Sequence, residues 1–278
     1  ESHDSIEIRN EGKFVKASGK RITRTKELLD KVYVVIFSPE DLKLVKDVAE
    51  KRRRFIDSEL SKIKPTYYDS ISNYNKTLKQ RNAYLKENEI RRDILEIWDN
   101  EIAVYGKKVI EKRREFVKLL EETSRQIHKS ISGGKEELTI EYEASIKNEE
   151  EYLNILSESF EKDIDFRTTT KGPHRDDIKI CIDGIDIRHF GSQGQQRTAA
   201  LSLKLAEVIL IKKIIGENAI LLLDDVLSEL DISRQEYLIN TLEDIQMFIT
   251  AADISDEVIS KIKEKNTYEV VNGTVVKI

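Results

Sequence analysis

The spacing of apolar positions changes twice along the chain, and each change predicts a different kind of element. In the first stretch Ile6 and Ile8 alternate with Glu7 and Arg9, residues 10–12 supply a turn, and Phe14 and Val15 lie in a second extended piece. Residues 32–37, VYVVIF, form a continuous run rich in β-branched side chains, the pattern of a strand buried on both faces. Ser38 and Pro39 end it, and Glu40 and Asp41 suit the first turn of a following helix. From about Glu59 to Ile131 the period becomes helical. Leu60, Ile63, Tyr67, Ile71, Tyr74, Leu78 and Leu85 make one stripe; Leu95, Trp98, Ile102, Tyr105, Val109, Phe116, Leu120 and Ile127 make a second. Polar residues 86–89 separate them, which predicts two long helices packed as an antiparallel hairpin, stopped at residues 132–134.

Beyond the hairpin, residues 147–164 predict a charged helix, and residues 178–182 and 185–187 predict two strands joined by an Asp183-Gly184 turn. A helix over 195–215, a strand over 219–223, a helix over 233–243, a strand over 246–250 and a helix over 254–264 then alternate, which predicts an α/β fold with a parallel sheet. Residues 268–271 and 274–278, joined by Asn272-Gly273, predict a closing hairpin.

Composition narrows the class. Charged residues make up 36% of the 278, against a usual ~25%, and only 11 glycines and 3 prolines occur, which excludes collagen-like and low-complexity chains. No apolar run reaches the ~20 residues of a membrane span. A single cysteine, Cys181, precludes a disulfide within the chain and predicts a reducing, cytoplasmic setting. With 47 basic and 52 acidic side chains the net charge is −5, so any contact with nucleic acid must use a local basic patch. Arg52, Arg53 and Arg54 are the candidates for DNA-phosphate contacts; Lys112, Arg113 and Arg114 read as a solvated helix face.

Two segments carry candidate chemistry. The strand at 219–223 delivers Asp224 and Asp225 at its carboxyl end, where open α/β sheets place their ligands. One carboxylate there can hold Mg²⁺ and the other can orient an attacking water. Ser192 and Gly194 precede a long helix, where backbone N–H groups favour an anion; the simpler reading is that Ser192 only caps the helix. Asp231 likewise reads as an N-cap for the helix that follows. His174, beside Asp176 and Asp177, has no second histidine near it and reads as a structural hydrogen-bonding residue rather than a metal ligand.

Together these segments resemble a known family. Residues 191–195 (GSQGQ) are similar to the ABC-type signature motif, 220–225 (ILLLDD) to Walker B, and 228–231 (SELD) to the D-loop. GPHRDD (172–177), SQGQQRTAALSLKLAE (192–207), LLLDDVLSELD (221–231), FSPEDL (37–42) and RRRFID (52–57) resemble the RecF family of bacterial recombination-repair proteins. The resemblance implies an ABC-type ATPase head with an inserted antiparallel helical arm: the remainder of an N-terminal lobe over 1–58, the arm over 59–165, and a C-terminal lobe over 166–278. It implies ATP and Mg²⁺ as cofactors, with Asp224 on the metal and Asp225 and Glu40 in catalysis. Ser192, Gly194, Gln195, Asp231 and Thr250 are then nucleotide contacts. The implied partners are DNA at single/double-strand junctions, a second copy of the chain on ATP, and RecR, RecO and RecA.

One element of such a head does not occur in the 278 residues: the P-loop G-x-x-x-x-G-K-[ST]. Gly12 through Arg21 offers the nearest spacing and fails, with six residues between glycines and Arg after Gly19-Lys20. The expectation is therefore that Glu1 lies inside a longer natural protein, and that the 278 residues alone do not hydrolyse ATP. The competing readings are a non-catalytic structural or interaction fragment with a helical arm, and a metal-dependent hydrolase built on His174 and the Asp pairs.

Overall fold

The computed structural model describes residues 33–242, 244–252, 260, 262 and 265–277, together with the backbone of three N-terminal strands. Those strands, β1 (Ser5–Arg9), β2 (Gly12–Ala17) and β3 (Lys20–Ile22), form an antiparallel meander in which Ile6 pairs with Val15, so the first two extended pieces read from the sequence are both present. The buried run begins slightly later than its apolar pattern, as β4 (Val34–Phe37). A single 3₁₀ turn, Asp41–Lys43, follows it in place of a longer helix.

Three helices make the arm and its root: α1 (Ala49–Ile63), α2 (Pro65–Tyr84) and α3 (Arg92–Ile131). The first stripe predicts one helix, but it is interrupted at Lys64, whose extended backbone (φ −133°, ψ 94°) is what the following proline imposes. Pro65 then starts α2, where its missing N–H costs nothing. α2 and α3 pack along each other as the expected hairpin. β5 (Leu138–Glu143) was not anticipated from the sequence. A 3₁₀ turn at Glu149–Glu151, α4 (Tyr152–Glu158) and α5 (Phe160–Phe166) replace the single helix expected over 147–164.

β5 joins β6 (Asp177–Ile182) and β7 (Ile185–Asp186) in an antiparallel sheet. Asp183 and Gly184, at φ 51° and 79°, make the two-residue turn that their sequence predicts. A short α6 (Ile187–Phe190) leads to α7 (Gln193–Ile215), whose faces are buried nearly all round. That is the mark of a core helix, and α7 packs against α3, α1 and β4.

The chain continues with β8 (Ile220–Asp224), α8 (Ile232–Thr241), β9 (Met247–Thr250) and the hairpin β10 (Tyr268–Val271) and β11 (Thr274–Lys277). β4, β8 and β9 form a parallel sheet in that order, in register Val35↔Leu221↔Met247. Val35, Phe37, Leu221 and Leu223 are buried within the main core, while Ile36 and Phe248, in the intervening row, are exposed. Of the helix expected over 254–264, all but residues 260 and 262 lies outside the described residues.

Candidate functional site

The parallel register brings three chain segments to one sheet edge. Asp224 ends β8 directly opposite Thr250 at the end of β9, and the Thr250 hydroxyl donates to Asp224 Oδ1 at 2.7 Å. Asp225 follows in the left-handed region (φ 53°), held there by its N–H donating to the Thr250 carbonyl at 3.0 Å. Asp tolerates that conformation better than most residues. Both carboxylates are exposed. β4 runs alongside, Phe37 opposite Leu223, so residues 38–40 leave the sheet at the same edge.

Glu40 is exposed there and accepts from Lys43 Nζ at 2.7 Å, a hydrogen bond that holds its carboxyl below the usual acidity range. Asp41, not Glu40, ties down the turn, accepting from the Ser38 N–H at 2.8 Å. Among the described residues no group of three or more His, Cys, Asp or Glu side chains converges as a self-sufficient metal site. The donor set at this edge, carboxylates beside a hydroxyl, suits Mg²⁺, which binds through one or two carboxylates and completes its shell with water and phosphate oxygens.

The first turn of α7 is a capping box. Ser192 Oγ accepts from the Gln195 N–H at 3.2 Å, and Gln195 Oε1 accepts from the Ser192 N–H at 3.0 Å. Ser192 is thus the cap the sequence allowed. That role uses an acceptor lone pair of Oγ and leaves the hydroxyl proton free to donate outward. Ser192, Gln193 and Gly194 are exposed at the head of an otherwise buried helix. A Cβ on Gly194 would meet only Ser192 Oγ, at 3.9 Å, so the packing of the chain itself makes no demand for glycine there.

The turn is anchored from behind. Gln196 Nε2 donates to the Ile187 carbonyl at 2.7 Å, and Thr198 Oγ1 donates to the Gly194 carbonyl at 2.8 Å. Arg234 Nε reaches Thr198 Oγ1 at 2.9 Å and pairs with Asp231, which caps α8 by accepting the Arg234 N–H at 3.0 Å. Arg197 binds the Glu229 carboxylate at 2.6 Å. Residues 228–231 and the signature-like turn are therefore one hydrogen-bonded unit. Thr198 and Arg234 link its halves; Thr198 falls within the family-like string 192–207 but has no role assigned to it, and Arg234 lies outside every motif.

The three candidate DNA arginines separate on inspection. Arg52 is buried at 1% exposure; its Nε and Nη2 each meet Asp177 at 2.7 Å, and Nη1 bonds the Val45 carbonyl at 3.3 Å. It is committed to the interior and offers no charge to a phosphate backbone. Burial alone would raise the Asp177 carboxyl, but the Arg52 bonds outweigh it and hold the group below its usual range. Arg53 is half-buried against the Asp176 carbonyl at 2.6 Å. Arg54 alone is fully exposed, paired with Glu50 one turn back.

Arg113 is a second correction. Expected on a solvated face, it is 2% exposed, because it occupies the apolar stripe between Val109 and Phe116. It grips Asp57 with two bonds of 2.9 Å and the Pro173 carbonyl with one of 2.6 Å. Arg81 does the same on α2, joining Asp99 and Asp163 at 2.6 Å each and Thr169 at 2.8 Å. His174 fills the gap between them: Nε2 donates to the Thr169 carbonyl at 2.9 Å, so Nδ1 is the acceptor for the Tyr74 hydroxyl at 2.6 Å. Burial lowers its pKa to about 4, and it stands as a neutral structural histidine, as the sequence suggested. The segment 172–177 is thus a clamp between arm and sheet.

No protein-family model matches the chain. The DNA replication and repair protein RecF of Agathobacter rectalis is 46% identical over 273 residues, an alignment spanning 96% of this chain and 74% of that protein. RecF of Lachnoclostridium phytofermentans is 46% identical over 272 residues, spanning 97% and 75%. Among solved structures, the recombination mediator protein RecF in the RecFOR pathway superimposes as RecF-ATP with a TM-score of 0.88 and as RecF-ATPrS with 0.87. Both are 36% identical and span 99% of this chain and about three-quarters of theirs. The fold is accordingly an ABC-type ATPase head with a helical arm, and the chain belongs to the RecF family of DNA replication and repair proteins.

Proposed function

We propose that this chain works as an ATP-switched, DNA-binding recombination mediator. Two copies close around ATP, each presenting Ser192 and Gly194 to the γ-phosphate carried by the other, with Gln195 holding that turn in shape. ATP bridges the two surfaces and ADP does not, so the nucleotide shifts a monomer–dimer equilibrium. Asp224 holds Mg²⁺, which neutralises phosphate charge when bound. Asp225 orients the attacking water, Glu40 and Thr250 border it from the neighbouring segments, and Asp231 holds the D-loop against the signature turn. Aspartate reaches less far than glutamate from the same backbone position, so hydrolysis is slow. The 278 residues, having no P-loop among them, do not hydrolyse ATP by themselves. The DNA partner is a single/double-strand junction and the protein partners are RecR, RecO and RecA, a reading that the similarity to RecF of the RecFOR pathway supports.

The observation that carries this reading is the exposure of residues 192–194 at the head of a buried helix, with a free hydroxyl proton on Ser192 and an open backbone at Gly194. A turn of that kind is built to meet something outside its own molecule. The test is Ser192→Arg in the full-length protein, followed by sedimentation with and without ATP. The variant should remain folded and monomeric at ATP concentrations that dimerise the parent. Dimerisation equal to the parent would refute the assignment.

A further inference from the structure

Gln195 does more than close the capping box. Its Oε1 faces the Ser192 N–H, and its Nε2 donates to Glu136 Oε1 at 3.0 Å. The other Glu136 oxygen lies 3.1 Å from His128 Nε2, and His128 Nδ1 lies 3.3 Å from the Ser202 hydroxyl. His128 is fully buried in the last turn of α3, and Glu136 stands just before β5. One continuous chain of hydrogen bonds therefore runs from the end of the 40-residue arm helix to the turn that carries Ser192.

We infer that His128 and Glu136 are positioning residues for the signature turn, acting through the carboxamide of Gln195. A primary amide is nearly symmetric in shape, so packing alone does not decide which end faces Ser192. A carboxylate decides it: Glu136 accepts only from the NH₂ end, which forces the oxygen towards the Ser192 N–H. The box closes, and the Ser192 hydroxyl keeps its outward proton. Glu136 is itself partly exposed, and its orientation depends on the buried imidazole behind it. Because burial lowers the pKa of His128, against the opposing pull of Glu136, the ring is neutral at physiological pH and keeps its proton on Nε2, facing Glu136. A shift of α3 along its axis moves His128, and the arm is thereby wired to the ATP-dependent contact. This inference rests on the reading of Ser192 given under Proposed function.

The experiment uses the full-length protein and two measurements: hydrogen exchange of the amides at residues 192–195 without nucleotide, and the ATP concentration that gives half-maximal dimer. Glu136→Ala and His128→Leu should speed exchange at Ser192 and raise that ATP concentration about tenfold, the scale of one charge-assisted hydrogen bond. His128→Gln, which restores an N–H at the place of Nε2, should recover most of the loss. A purely structural histidine would show loss of melting temperature without recovery of dimerisation by Gln. Should Glu136→Ala fold poorly, Glu136→Gln keeps the shape, removes the charge that orders the amide, and should reproduce the faster exchange. If these variants dimerise like the parent while Ser192→Arg does not, the relay is refuted and the signature reading stands. If Ser192→Arg also dimerises, the signature reading fails and takes the relay with it.

Discussion

Arg113 on α3 and Asp57 on α1 meet through two parallel hydrogen bonds of 2.9 Å, with the guanidinium almost wholly out of solvent. Burial disfavours the charge on Arg113, yet Asp57 and its neighbours more than compensate and keep its pKa well above the ordinary value. Removing one member of such a pair strands the other: Asp57→Ala should cost about 3–5 kcal/mol of stability, and Arg113→Lys should recover little, because an ammonium cannot bond Asp57 on two prongs. Urea unfolding of the parent and both variants gives the comparison. A loss below about 1 kcal/mol for Asp57→Ala would place the pair among ordinary surface ion pairs.

His174 makes stability depend on pH. In the folded chain its pKa is about 4, below the ~6.5 of an unfolded histidine. Between those values the unfolded state binds the extra proton, so stability is greatest above ~6.5 and falls as pH drops towards 4. The full effect is about 3 kcal/mol at this largely buried site. His174→Gln, which has no proton to gain, should flatten unfolding free energy across that window. An unchanged slope would show that other groups carry the acid sensitivity.

Two glycines should behave in opposite ways. At Gly172 (φ 137°) a Cβ would lie 2.0 Å from the Tyr152 hydroxyl and 2.6 Å from that of Tyr74, so Gly172→Ala should unfold the clamp between arm and sheet. At Gly194 a Cβ meets nothing closer than 3.9 Å, so Gly194→Ala should melt like the parent while weakening ATP-dependent dimerisation. Thermal melting and sedimentation of both variants decide the matter. A Gly194→Ala protein that dimerises normally would remove the reason for an open backbone there.

The basic cluster at the head of α1 divides by burial. Arg52→Ala should lower the melting temperature, since it leaves Asp177 without its main partner inside the core. Arg54→Ala should leave melting unchanged and weaken DNA binding, with the salt dependence reduced by about one counterion. DNA affinity measured over a range of salt concentrations separates the two. No change in affinity or slope for Arg54→Ala would move the DNA surface elsewhere.

Much of this was legible because local pattern and tertiary fold agree. The Asp183-Gly184 turn, the helical stripes and the apolar strand ending at Asp224 are all set by near neighbours in sequence. What escaped depends on partners far along the chain. β5 gains its place by pairing with β6, about forty residues later, and its own alternation is short. Arg113 reads as solvated because it stands in a charged run, and nothing local singles out Arg81 or Asp99. Yet each lies in register with an apolar stripe (Tyr74, Leu78, Arg81, Leu85; Leu95, Asp99, Ile102; Val109, Arg113, Phe116), and a charge at a core position signals a buried pair. At the site, the paired aspartates and the signature-like turn were visible as motifs. Glu136 and His128 were not, since hydrogen bonds across fifty-nine and seventy-four residues leave no local trace.

The most direct measurement mixes two inactive full-length variants. Ser192→Arg spoils the signature turn. Asp225→Asn spoils the water-orienting carboxylate while keeping a residue that tolerates the left-handed backbone at φ 53°, so it tests chemistry rather than strain. Asp225→Asn alone should give a long-lived ATP dimer without hydrolysis. If Ser192 serves the nucleotide of the other copy, a mixed dimer unites the intact Asp225 of one subunit with the intact Ser192 of its neighbour, and ATP hydrolysis returns on mixing. If the two residues serve one site within one copy, every site in the mixture stays broken and no hydrolysis returns, which would contradict the account.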